Sequence, residues 1–277
     1  YADTLGIFNQ IYQFPKKKIF NKFFFIHKLY KKKFDYIFIF DGKERSILTA
    51  LFIKAKLKIA LSSRIKFYYK MMRIKFFEDN ENTNLNEVFQ KMLLNSNIST
   101  QISNYDFLKH KKDNNFSKLV PILHYVHIHL DEKWFNDLYI KSYTNINPSS
   151  DQFTDFINTI SKNDDILITT GLIELDLVKE LINNYFEKID DNIYYNKRMN
   201  KSVYLIYKPT FEDIESLLRN SKTLISCHGA ITHAANSLNV KIIDIIEENK
   251  NSFYQRFTSY LNKYSKVYRE DFFSIKS

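Results

Sequence analysis

The chain has 277 residues, 44% of them apolar and 16% aromatic, enough to bury the cores of about two ordinary domains and too much for a disordered chain. Its one cysteine, Cys227, excludes an intramolecular disulfide framework and fits a reducing compartment, and no run of about 18 uncharged apolar residues suggests a membrane-spanning helix. The net charge of +10 fits either the lysine-rich usage of an AT-rich genome or attraction to a polyanion.

The chain starts at Tyr1 in what reads as the middle of an α/β pattern, so a preceding segment is expected. Residues 10–14 read as a short strand stopped by Pro15. Residues 19–33, IFNKFFFIHKLYKKK, predict a helix with an aromatic face and lysines in its last turn, where cations complement the helix dipole. A helix lying in a membrane interface has the same pattern. Residues 34–40, FDYIFIF, are the best strand of the N-terminal half. A turn at Asp41-Gly42, a helix to about Ala55 and a strand over 56–61 follow. Asp41 therefore stands at the C-terminal end of a parallel strand, where α/β sites form, or serves as a turn former. Residues 64–75, RIKFYYKMMRIK, interleave basic and aromatic side chains. No nucleic-acid module accompanies them, so they read as an irregular basic loop facing a membrane or an anionic acceptor. An amphipathic helix spans 85–94. The polar stretch 95–118 is the expected boundary between domains at 1–118 and 119–277.

The second half opens with a strand over 122–130, ILHYVHIHL. If the strand runs on through Asp131, His127, His129 and Asp131 share one face, a spacing that suggests metal ligands, although Glu132 stands where dinuclear hydrolases place a further His. His124 points to the other face, and Asp131 to Trp134 lead into a helix. Ser149 to Asp151 cap a helix over 152–161, and the strand 165–170, DILITT, closes on Gly171. A helix over 175–188 and a strand over 203–207 follow. Thr210 and Asp213 are spaced as a capping box for the helix 211–219. A strand over 223–227, a turn at His228-Gly229-Ala230, a helix over 231–238 and a strand over 241–246 form the most regular unit. A helix over 251–263 and a short strand over 266–269 end the pattern. Strands alternating with helices predict a doubly wound α/β domain over 122–269, and residues 10–100 a similar, incomplete one. The backbone N–H groups near Gly229 to Thr232, opening a helix, suit a phosphate.

Four segments carry a family resemblance. Residues 39–46, IFDGKERS, resemble the strand and turn IDLxGxxRS of glycosyltransferase family 9, the ADP-heptose:lipopolysaccharide heptosyltransferase family. His129 to Trp134 resembles the start of that family's C-terminal domain, and residues 210–220 resemble its SLEELAxLIxxA helix. Residues 228–239 resemble its D-[ST]-G-P-x-H-x-A-A-A-x-G signature, with His233, Ala234 and Ala235 in register. His228 stands at the family's Asp position, and Ala230-Ile231 at its Gly-Pro. The family's first strand and its Gly-Asp loop, which carries the base, would precede Tyr1.

The resemblance implies the GT-B fold, two Rossmann-like domains facing a cleft. It also implies an inverting, metal-independent, cofactor-free transfer of a heptose or related sugar. The sugar would pass from a nucleotide-diphosphate sugar to a lipopolysaccharide-core or other cell-surface glycan. The implied donor contacts are Lys133, as a phosphate clamp, Thr169, Thr170, Gly171, His228, Gly229, Thr232 and His233, with Asp41 as the remaining candidate base. A bacterial, cytoplasmic enzyme peripheral to the inner membrane is expected, docked on anionic lipid through residues 23–33 and 64–75, with no nucleic acid as partner. The competing readings are a degenerate GT-B scaffold that binds nucleotide sugars or glycans without catalysis, and a metal-dependent hydrolase built on His127, His129 and Asp131.

Overall fold

The computed structural model describes residues 9–15, 19–62, 73–78, 83–99, 107–135, 137–196 and 198–274. Its contacts divide the chain into an N-terminal unit, Ala2–Ser103 with Gln255–Ser259, and a C-terminal unit, Asn104–Tyr254 with Tyr260–Ser277.

The N-terminal unit runs through helix α1 (Ile19–Tyr30), strand β1 (Phe34–Ile39), helix α2 (Glu44–Leu51), strands β2 (Ala55–Ser62) and β3 (Lys75–Glu78), and helix α3 (Leu85–Leu94). The three strands form one parallel sheet in the order β1-β2-β3. Side chains alternate along β2, so each face takes its own helix. Ala60 packs with Ile47 and Ala50 of α2, while Ile59 and Leu61 pack with Val88 and Met92 of α3. Gly42 holds a positive φ of +59° after β1, and a Cβ there would meet the Leu61 carbonyl at 3.3 Å, so both handedness and space select glycine. Residues 10–14, expected as a strand, have no sheet partner among the described residues. Instead Tyr12 and Phe14 meet Phe25 of α1 edge-on, at 6.3 and 5.3 Å between centroids. The expected basic loop over 64–75 gives way to β3 at Lys75, and residues 64–72 lie outside the described residues.

The C-terminal unit begins with the short helix α4 (Phe107–His110). Strand β4 (Tyr125–Leu130), helix α5 (Ser150–Ile160), strand β5 (Ile166–Thr170) and helix α6 (Asp176–Tyr185) follow. Next come strands β6 (Glu187–Asp190), β7 (Ile193–Asn196) and β8 (Val203–Ile206), then helix α7 (Phe211–Leu218) and strand β9 (Ser221–Cys227). Helix α8 (Ala230–Ser237), strand β10 (Lys241–Ile246), helix α9 (Asn251–Thr258), which ends in the other unit, and strand β11 (Tyr264–Tyr268) complete it. The sheet order is β11-β10-β9-β4-β5-β8-β7-β6. Every residue of β4, β5 and β8 is buried, as parallel strands covered on both faces must be. The predicted capping box forms at Thr210/Asp213, and the predicted cap at Ser149 is completed into a second box by Gln152.

Two boundaries differ from the sequence reading for local reasons. His124 has a left-handed φ of +57° and donates its N–H to the Asn220 carbonyl at 2.9 Å, so β4 starts at Tyr125 instead of 122. The residues after α6 fold into the antiparallel hairpin β6–β7 across Asp191-Asn192, a two-residue turn whose Asp and Asn side chains suit tight reversal. Residues 107–119 join the C-terminal unit through buried polar contacts. The Leu108 N–H donates to Ser237 Oγ at 3.0 Å, and Lys111 pairs with Glu215 at 2.6 Å.

Strand order sets the site. The chain leaves β4 for β5 and β8, then returns through α7 to β9 on the other side of β4. Adjacent strands β4 and β9 thus send their following loops to opposite sides, a topological switch point where α/β sheets open a crevice at their carboxyl ends.

Candidate functional site

Three strand ends meet at this switch, and a lysine lies between them. Beyond β4, Asp131 accepts the Lys133 N–H at 3.1 Å and opens a single 3-10 turn, Glu132–Trp134, where a longer helix is predicted. Trp134 is fully buried. Its indole Nε1 donates to the His129 carbonyl at 3.0 Å, and its ring meets Phe153 and Phe272 edge-on. With its backbone held from both sides, Lys133 swings its ammonium onto the Asp131 carboxylate at 2.5 Å. Burial alone pulls the Lys133 pKa down, but the Asp131 carboxylate outweighs it and leaves the ammonium above the ordinary lysine value. On the β9 side, a Cβ built on Gly229 would lie 2.7 Å from Lys133 Nζ. On the β5 side, a Cβ on Gly171 would lie 2.9 Å from Asp131 Cβ. Both glycines are there for space: each lets the Asp131–Lys133 pair approach a neighbouring strand end.

Behind Gly229 stands a second ion pair. His228 follows β9 and places Nδ1 2.6 Å from Oδ2 of Asp244, a fully buried carboxylate on β10. Asp244 also accepts from Thr232 Oγ1 at 3.1 Å and Tyr264 OH at 3.2 Å. Thr232 Oγ1 in turn accepts the Gly229 N–H at 3.3 Å, tying the start of α8 to the same carboxylate. His233, one turn into α8, contacts Tyr260 OH through Nδ1 at 2.9 Å, and burial lowers its pKa. The loop after Trp134 is fastened from the far side. Glu247, after β10, accepts from the Thr144 N–H and hydroxyl, and Arg269 donates to the Thr144 and Lys133 carbonyls.

Of the predicted donor residues, Lys133, Gly171, His228 and Gly229 line the strand ends at the switch. Thr169, Thr170 and Thr232 make contacts inside the unit instead. Thr169 is fully buried, with Oγ1 in contact with His127 Nε2 at 2.7 Å and His129 Nδ1 at 3.0 Å. Thr170 Oγ1 accepts the Lys208 N–H at 2.7 Å, and Thr232 is a buried brace to Asp244. Asp41 belongs to the N-terminal unit, where it accepts from the Lys43 N–H at 3.1 Å and the Ser46 hydroxyl at 2.7 Å. His127 and His129 do share a face with Asp131, but both imidazoles turn to Thr169, and burial holds both pKa values down to about 3. Among the described residues, no three His, Cys, Asp or Glu side chains are grouped to hold a metal ion. The sequence reading missed Asp244, Glu247 and Arg269. The first two had a signal: carboxylates set in and just after the apolar run of β10, KIIDII, must find partners when buried.

A parallel sheet with this switch point, a lysine over a helix start and the two-unit division together give the chain the α/β fold of the GT-B glycosyltransferases. Solved structures of that kind match it directly. The E. coli heptosyltransferase WaaC with ADP superposes with a TM-score of 0.58 at 12% identity, over 88% of this chain and 68% of that one. A family 9 glycosyl transferase from Veillonella parvula gives 0.62 at 13% identity, over 94% and 71%. The UDP-GlcNAc 2-epimerase of Methanocaldococcus jannaschii gives 0.54 at 13% identity, over 99% and 80%. At these identities the likeness is one of fold. No protein-family model matches the sequence, and no curated protein matches it.

Proposed function

We propose that this chain is a glycosyltransferase that binds a nucleotide-diphosphate sugar at the β4–β9 switch and passes the sugar, a heptose or relative, to a glycan acceptor with inversion. The observation that carries the reading is the Lys133 ammonium poised over Gly229 at the start of α8. A cation and a helix N-terminus on one spot suit a diphosphate, and they act most strongly as negative charge grows on it when it leaves. The acceptor hydroxyl attacks the anomeric carbon, the bond to the diphosphate breaks, and a carboxylate takes the hydroxyl proton. Asp41 is the candidate for that base, and the scheme needs neither metal nor cofactor. Two named neighbours support the donor class, since one was solved with ADP and another acts on UDP-GlcNAc.

The acceptor is proposed to be a lipopolysaccharide-core or other glycolipid at the cytoplasmic face of a bacterial membrane. Phe20, Phe23 and Phe24 of α1 stand 73%, 64% and 72% exposed, ahead of Lys28 and Lys31 to Lys33. Exposed aromatics beside lysines suit an anionic bilayer interface. Among the described residues no helix is long and apolar enough to cross a membrane.

Calorimetry with ADP, UDP, GDP and CMP, with and without EDTA, tests the donor site. One diphosphate should bind tightly and independently of EDTA. Binding that depends on metal, or no binding by folded protein, refutes the reading. The epimerase likeness favours one second reading, isomerisation of a bound nucleotide sugar. Product analysis separates the two, since only transfer releases free nucleoside diphosphate with a glycosylated acceptor.

A further inference from the structure

We propose that His228 is a proton-carrying contact for the diphosphate, oriented by Asp244, so that ligand binding at the switch takes up a proton at this imidazole. This inference rests on the donor site proposed above. Its ground is the geometry around Asp244. Oδ1 accepts from Thr232 and Oδ2 from Tyr264, so the carboxylate acts as an acceptor, and His228 Nδ1 at 2.6 Å must be the donor. That fixes the tautomer. In the neutral ring Nε2 carries only a lone pair and repels a phosphate oxygen. In the cation Nε2 is a donor, and the buried Asp244 charge balances the imidazolium. Among the described residues Nε2 has no hydrogen-bond partner, and the ring is partly open to solvent.

The groups facing this ring do not supply the proton themselves. Asp244 on β10 and Tyr264 on β11 meet Nδ1 or its partner oxygen. His233 on α8 lies 5.5 Å away edge-on, with its charged form disfavoured by burial and by His228. Tyr254 on α9 lies 5.1 Å away, and burial pushes its phenol up, keeping it neutral. Lys133, over the neighbouring Gly229, stays charged. His228 Nε2 is therefore the atom left to hold the proton that the ligand draws in. A bound diphosphate favours its charged form, so affinity rises as pH falls.

The test is calorimetric titration of wild-type protein with the diphosphate that binds, and with inorganic pyrophosphate, from about pH 8 to about pH 6 in two buffers of different ionisation enthalpy. We expect affinity to rise about three- to tenfold per pH unit at most, with net proton uptake read from the buffer difference. His228→Asn should abolish the uptake and flatten the profile, while Lys133→Met weakens binding with the slope retained. Asp244→Asn, which can still accept the Nδ1 proton, should shift the rise to lower pH. An imidazole proton NMR titration of wild type, with and without pyrophosphate, reads the same protonation without any substitution. Binding without proton uptake, or a His228→Asn slope equal to wild type, overturns the inference. Failure of every diphosphate to bind at any pH overturns the proposed donor site, and this inference with it.

Discussion

The ammonium of Lys133 occupies the space in which a side chain at residue 229 would begin, 2.7 Å from the Cβ that Gly229 lacks. A methyl group there collides only with the end of a flexible side chain, so the fold tolerates it while the ammonium moves. Gly229→Ala should keep its melting temperature within about 2 °C and lose about tenfold or more in diphosphate affinity. Thermal unfolding and calorimetry on one preparation check both halves. Gly171→Ala is the contrasting case. Its Cβ would meet Asp131 Cβ at 2.9 Å, close to the backbone, and it should cost about 1–3 kcal/mol of stability.

Asp131 keeps Lys133 charged. With Asp131→Asn the opposing effect of burial is unmasked, and the lysine pKa falls below its ordinary value. Diphosphate binding by the variant should then weaken as pH rises through about 8 to 10, a range in which wild type holds steady against loss of this charge. Affinity measured across that range decides it, and parallel wild-type and variant curves would refute the role.

Acid should destabilise the C-terminal unit through His127 and His129. Both are buried, with folded pKa values of about 3 against 6.5 for the free side chain. The sign follows directly: the unfolded chain binds protons first, so stability is complete above about pH 6.5 and drains as pH falls towards about 3. Each ring contributes at most about 1.4 kcal/mol per pH unit across that window. Urea midpoints from neutral to acid pH measure the slope, and His129→Asn should reduce it.

Trp134→Phe removes the donor to the His129 carbonyl while keeping most of the ring contacts. Loss of this hydrogen bond should cost about 0.5–1.5 kcal/mol. Because the indole also holds the turn that carries Lys133, diphosphate affinity should fall as well, read by the same calorimetry.

Charge reversal at Lys31, Lys32 and Lys33 should release the protein from anionic vesicles. Phe23→Ser with Phe24→Ser should weaken binding even at low salt, where the lysines act most strongly. Vesicle flotation of the two variants against wild type checks this, and unchanged flotation refutes the docking face.

Much of the architecture is legible in residues 122–269 because local chemistry and tertiary demand agree there. Short strand-forming runs rich in isoleucine, such as ILITT and KIIDII, fit a covered parallel sheet, and the Thr210/Asp213 box starts its helix from backbone needs alone. The reading fails where one residue's φ or one turn decides. His124 and the Asp191-Asn192 hairpin are of that kind, since neither conformation disturbs the surrounding pattern of apolar residues.

The candidate site divides in the same way. Sequence by itself determined the alternation of strands and helices, the stretches that end at strand termini, and the identity of Lys133, Gly171, His228 and Gly229 as residues at those ends. Only tertiary structure decided which of the predicted residues lie at the strand ends of the switch and which are engaged inside the sheet. Thr169 and Thr232 sit beside the right residues in sequence, yet both are buried against partners 40 and 12 positions away. Asp244 lies 16 positions beyond His228, and sheet order alone makes them a pair. A side chain's role depends on what the neighbouring strand presents to it, and in a parallel sheet that neighbour is always distant in the chain.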